Sequence, residues 1–397
     1  MEVSMLEEFP RFAWASGEEC SDPVVLFKGE LVRVDELETT GHLARLEKDL
    51  SDIADLGVEI WRYGMPWRRA EIAPGEYDWS LWDRALGACD EAGLTPVVDL
   101  CHFGLPDHYA GFCDPEWVDG FIAYAEAFLA RYSEPRFFTP VNEPAVTALN
   151  SAMTGIWNDR RTSPGDFALA LVHCMLADLE VSSRIREDRD GWNVMAEGFQ
   201  VFAVTDEAQQ AQADWMQSNW QATWDLRFGV ALDPVAEASI AGAVGDEILE
   251  RISSLATKTN VIAGHDFYPP SVLPMGPAPE GGVSIAQRVD LYEEAARRWH
   301  ERYGVDFWIS ETSNLGLPVE QGIEWLETLF AAAERMLDDK IPVRGICWYS
   351  RGDQHDWDSG LARPEQCVTE VGLFDINRKQ RPVGVKFGQY ARQCRQT

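Results

Sequence analysis

Eight short runs rich in β-branched and aromatic residues, each separated from the next by an amphipathic stretch, constrain this chain more than any other feature. They are FAWAS near Phe12, VEIWRYGMPW from Val58, TPVVDLCHF from Thr95, RFFTPVNE from Arg136, WNVMAEGFQVF from Trp192, NVIAGHDFY from Asn260, DFWISET from Asp306 and VRGICWYS from Val343. Between them, DRALGACDEAG, WVDGFIAYAEAFLARY and FALALVHCMLADLEVSSRIRE carry apolar residues at three- and four-residue steps, the period of a helix with one buried face. Strands alternating with helices predict a parallel sheet with helical crossovers. Eight such units in 397 residues predict an α/β fold, a (β/α)8 TIM barrel forming a single domain over residues 1–397. No linker, low-complexity tract or repeat interrupts the chain, and SVLPMGPAPEGGVS, residues 271–284, reads as a long loop.

Composition narrows the function. With 46% hydrophobic residues the chain can bury a large core. A formal charge of -32, from 34 basic and 66 acidic residues, repels phosphate backbones and anionic lipid, so neither nucleic acid nor a membrane surface is an expected partner. The eight cysteines contain no CxxC and no paired short spacing, so no metal site is expected from them. MEVSMLEEFPRFAW lacks a basic segment followed by an apolar run, and no 18-residue apolar stretch occurs, so a cytoplasmic location is the expectation.

In a barrel the C-terminal strand ends open onto the active-site face, so polar residues that end apolar runs are candidates for chemistry. Glu143 ends the fourth run and Glu311 the seventh, with three further β/α units between them, so barrel closure can bring them face to face. Cleavage of a glycosidic bond needs two such carboxylates, one to protonate the leaving oxygen and one to attack the anomeric carbon or activate water.

The local motifs sharpen this. TPVNEP resembles the TxNEP segment of glycoside hydrolase family 1, and ISET resembles that family's (I/V)TENG segment. FAWASGEE is similar to its FxWGxAT strand, RYGMPWRRAEIAPGEYDW to RFSISWSRI, DLCHFGLP to LxHWDLP and GHDFYPP to GINYYT. CWYSRGDQHDWDSG followed by VGLFDINRKQRP looks like WSLLDNFEW followed by FGLxxVD. Residues 150–255 match mainly in helix rhythm. The resemblance implies a retaining, β-glucosidase-like enzyme that acts on small glycosides without cofactor or metal. It implies Glu143 as acid/base and Glu311 as nucleophile. Asn142 would hold the sugar 2-hydroxyl, His102 would reach the glycone and Arg62 would keep Glu311 ionised. Tyr268 would bond Glu311, and Trp348 would form the floor under the sugar ring.

Departures fall on sugar recognition. Gly17, followed by Glu18 and Glu19, stands near the family's glycone-binding Gln, and Phe103 replaces a Trp. Asp266 adds an anion beside the site, and Asp356 and Trp357 stand where Glu-Trp is expected, one residue further along. An altered glycone is therefore expected. The alternatives are a transglycosidase with the same carboxylates, a non-catalytic carbohydrate-binding barrel, and a metal-dependent hydrolase using His102 and His265.

Overall fold

The computed structural model describes residues 8–277 and 282–394. Eight strands, β1 (Ala13–Gly17), β2 (Ile60–Gly64), β3 (Thr95–Asp99), β4 (Phe137–Thr139), β5 (Trp192–Val194), β6 (Val261–Asp266), β7 (Phe307–Thr312) and β8 (Val343–Trp348), form a closed barrel in which β1 pairs with both β2 and β8. Every pairing in the barrel is parallel. This is the (β/α)8 architecture expected from the eight runs.

The two-residue period of a strand explains how one sequence builds both core and site. Ile60, Val97 and Phe137 belong to the cluster that fills the lumen, together with Val194, Ile262, Trp308 and Cys347. Two residues further along β2, β3 and β4 come Arg62, Asp99 and Thr139, on the same face but nearer the mouth. The alternate residues Trp61, Val98 and Phe138 join the larger cluster beneath the helices. Each strand thus spends its first inward position on packing and a later one on chemistry.

Phe9 closes the opposite end. Its ring meets Phe137 at 5.5 Å and Trp308 at 5.4 Å, both edge-on, and Arg344 holds its carbonyl. The helices lie where the 3.6-residue period predicts them: Ser80–Ala92, Glu116–Arg131 and the 26-residue Pro164–Arg189, which starts at Ser163, whose side chain accepts from the Asp166 amide. Among the described residues no helix is long and apolar enough to cross a membrane.

Three expectations need correction. The fourth run stops being a strand at Thr139, because Pro140 removes the next ladder donor, so Glu143 stands beyond the strand and not at its end. WNVMAEGFQVF is two strands: β5, and Val201–Val204 outside the barrel. The latter pairs in parallel with Val272–Met275, so the loop read over 271–284 begins with a strand; residues 278–281 of it, and residues 1–7 of the N-terminal segment, lie outside the described residues.

Gly264 on β6 tests barrel closure. A Cβ there would stand 1.9 Å from the Met195 carbonyl oxygen, which belongs to backbone and cannot rotate away. Gly264→Ala is expected to lower stability by about 1–3 kcal/mol or prevent folding, read by denaturant titration; an unchanged midpoint would contradict the close approach.

Candidate active site

Arg62 organises the mouth. Its guanidinium, almost fully buried, donates through Nη1 to Glu311 Oε1 and through Nη2 to Asp99 Oδ2 at 2.6 Å and Asn142 Oδ1 at 2.5 Å, while Nε reaches Thr139 at 3.4 Å. Four strands or strand ends are tied by one side chain. A fork of donors in fixed geometry can do this, whereas an ammonium would act as a point charge. Glu311 receives a second bond, at 2.7 Å, from the Tyr268 hydroxyl to Oε2, so each of its oxygens has its own donor. His102 Nδ1 lies 2.8 Å from Asp99 Oδ2 and its Nε2 lies 3.1 Å from Asn142 Nδ2.

Glu143 arrives differently. It takes a left-handed backbone, φ 40° and ψ 66°, as the residue that caps the short helix Pro144–Ala148, and Pro144 with its fixed φ opens that helix. A non-glycine residue in this region is strained by about 1–3 kcal/mol, which the surroundings must offset. Here the Glu143 amide donates to the Ala196 carbonyl at 3.0 Å, and the Glu197 carboxylate accepts from the Ala145 and Gly198 amides at 3.1 and 2.8 Å. Glu197 therefore staples the Glu143 turn to the end of β5.

The acids converge. Carboxylate oxygens of Glu143, Asp266 and Glu311 lie within 4.8 Å of one another. Burial, and after it the neighbouring acids Asp266, Glu311 and Glu197, push the Glu143 carboxyl well above the usual range, which favours its protonated form. Burial and Glu311 likewise raise Asp266, whose Oδ1 accepts from the Ser310 hydroxyl at 2.5 Å. Burial lifts Glu197 to about 8.

These groups face a cavity of about 330 Å³. Its floor is polar and buried, formed by Glu19, His102, Glu143, Glu311 and Gln354. Its outer wall is apolar and half-buried, formed by Val146, Leu149, Met216, Leu273 and Leu315, with Trp220 and Trp357 beside them. A second cavity, of about 400 Å³, shares Gln200 and Trp220 with it.

Of the expected site residues, Glu143, Glu311, His102, Tyr268 and Trp357 line the cavity, and Arg62, Asn142 and Asp266 stand directly behind its wall. Two do not reach it. Trp348 falls on the outward set of β8 with Ile346, and its indole donates to the Val371 carbonyl at 2.9 Å. The next residue, Tyr349, takes the inward place, its ring 5.3 Å from the Arg62 guanidinium carbon and parallel to His102. Asp356 turns away because its two oxygens accept from the Gln366 and Cys367 amides, both at 2.8 Å, which closes a loop. His265 is a core residue, stacked on Phe199 and Phe307 with Tyr292 at 3.2 Å from Nδ1, and it shares no ligand cluster with His102.

Glu19 and Glu197 were legible as acids but not assigned, because neither SGEE nor AEGF marks them locally and only the fold brings them to the mouth. Two ligand-like groups occur at the mouth, Glu143–Asp266–Glu311 and Cys20–Asp99–His102. Arg62 bonds a member of each, so a fixed positive charge already occupies the place beside both.

Comparison with known proteins agrees with this geometry. Residues 32–235 match the sequence profile of Glycosyl hydrolase family 1, about half of the chain. "Beta-glucosidase 6" of Oryza sativa subsp. japonica is 28% identical over 130 residues, 30% of this chain and 25% of that protein. "Coniferin beta-glucosidase" of Pinus contorta is 28% identical over 168 residues, 36% of this chain and 32% of that protein. The aligned segment thus spans about a quarter to a third of these relatives. The structure of a family 1 β-glucosidase from Thermotoga maritima superimposes with a TM-score of 0.75 at 16% identity, covering 89% of this chain and 86% of that one.

Proposed function

The chain belongs to glycosyl hydrolase family 1, and from that membership we propose that it is a retaining β-glycosidase, acting as a single domain on small β-glycosides with an apolar aglycone. The observation that carries the proposal is the asymmetry of the two carboxylates across one cavity. Glu311 is bonded on both oxygens by Arg62 and Tyr268, an arrangement suited to an anion that attacks; the Glu143 carboxyl is raised by burial and neighbouring acids, which suits a proton donor. Their oxygens lie within 4.8 Å. Carboxyl groups about 5–5.5 Å apart fit direct attack by one of them, whereas about 6.5–9.5 Å leaves room for a water between.

In the first step Glu311 attacks the anomeric carbon while Glu143 passes its proton to the departing oxygen, and the aglycone leaves along the apolar wall. Forming the ester removes the negative charge of Glu311, and with it one of the influences that held Glu143 protonated. Glu143 then accepts a proton from water, which attacks the same carbon and restores Glu311. The anomer is retained because the carbon is inverted twice. Cys20, Cys89, Cys101, Cys113, Cys174 and Cys347 are buried thiols, and this supports a reducing compartment such as the cytoplasm.

The test is a set of aryl β- and α-glycosides followed by NMR of the first-formed sugar. Cleavage confined to β-glycosides, with the β-anomer appearing first, is the expected result. First appearance of the α-anomer would replace the nucleophile by a water-activating base.

A further inference from the structure

Resting on the reading of this cavity as a sugar site, we propose that the glycone carries an ammonium group, as an amino-deoxy pyranose does, and that Glu19 is the residue that selects it.

The acids around Glu19 show what is unusual about it. Glu18 is bonded by Arg351 at 2.6 and 3.1 Å; Asp22 is bonded by Arg68 at 2.9 and 3.1 Å and by Arg33 at 3.1 Å. Asp49 pairs with Arg351 at 3.0 Å. Glu18, Asp22 and Asp49 are thus each bonded by a guanidinium, Arg351 serving both Glu18 and Asp49. Glu19, only 2% exposed, has none among the described residues: its Oε1 accepts from the Ser21 amide at 2.8 Å, and it lines the cavity. The nearest group able to carry positive charge is His102, 4.0 Å away, with Nδ1 directed to Asp99 and Nε2 to Asn142.

Burial raises the Glu19 carboxyl, and His102, the nearby cation at 4.0 Å, opposes this only in part. Glu36, itself buried and raised, adds to the acidity of this corner while its own oxygens accept from the Thr39 hydroxyl and the His355 amide. His102 is shared with Asp99, which it meets at the shorter distance of 2.8 Å, so a cation of Glu19's own is most simply brought by the ligand. Donor and acceptor chemistry points the same way. A carboxylate only accepts and an ammonium only donates, so the two match in a bond with charge on both sides, stronger than the one a neutral sugar hydroxyl makes.

The experiment compares 4-nitrophenyl β-D-glucoside with its 2-, 3-, 4- and 6-amino-deoxy analogues on the wild-type protein, Glu19→Gln and Glu19→Asp, together with melting-temperature shifts produced by the free amino sugars and by glucose. One amino isomer is expected to show kcat/KM roughly tenfold or more above the glucoside in the wild type. Glu19→Gln should remove that preference and Glu19→Asp, which keeps the charge, should retain part of it. The unliganded melting temperatures report whether the variants fold. Turnover of the glucoside that disappears in Glu311→Ala, with no amine preference, would overturn this inference and leave the glycosidase reading standing. Selective stabilisation by an amino sugar that Glu19→Gln abolishes, without cleavage of any glycoside, would support the inference and remove the glycosidase reading. An amine preference unchanged in Glu19→Gln, or no binding and no turnover of any amino sugar, would also overturn it.

Discussion

Glu311→Ala lowers kcat/KM on an aryl β-glycoside on the order of 10⁴-fold or more, because it removes the atom that bonds to the anomeric carbon and no neighbour can take its place. Arg62 and Tyr268, which hold the two Glu311 oxygens, remain and keep a space of anionic character. Added azide or formate fits that space and attacks the same carbon once. The product is then a glycosyl azide or ester of the opposite anomeric configuration, identified by NMR. Activity close to wild type, or rescue with retained configuration, would remove Glu311 from the role of nucleophile.

Glu143→Ala produces a different pattern. A leaving group of high pKa needs protonation as it departs and loses about 10²–10⁴-fold, whereas an activated nitrophenolate departs unaided and loses far less in the bond-breaking step. Equal losses on both would argue against proton donation. In the wild type, kcat/KM on the demanding substrate falls as pH rises through the elevated pKa of Glu143, since the acid form is the working one. A pH profile without that alkaline fall would conflict with the burial and acidic neighbours that raise this carboxyl. Glu197 shares in this: its bonds to the Ala145 and Gly198 amides fix the turn that carries Glu143.

The barrel was legible because its strands are short, apolar and β-branched or aromatic, and because several helices between them, such as Ser80–Ala92, bury one face at the 3.6-residue period, although Pro164–Arg189 is buried around most of its surface. The two carboxylates were legible because each sits in a distinctive motif near a strand end. What failed was register. A one-residue shift on a strand exchanges lumen for helix layer, and it placed Trp348 under a sugar when Tyr349 faces inward. Asp356 failed for another reason: nothing local announces that two amides ten and eleven residues later will occupy both of its oxygens. Glu19 was passed over because an acid beside another acid carries no signal of its own. Its meaning comes from the guanidinium groups that its neighbours have and it lacks, and those contacts join residues distant in sequence.

The Phe9 plug bears on the order of events. With that ring wedged against Phe137 and Trp308, the described lumen is filled at the end away from the site. Whatever enters last must leave first. A sugar seated on the polar floor stays covered until its aglycone has cleared the apolar rim, and the incoming water follows the path just vacated. On the proposed mechanism free aglycone would therefore compete with water along the apolar rim. Any alcohol concentrated on that rim has the same opportunity to carry the sugar away.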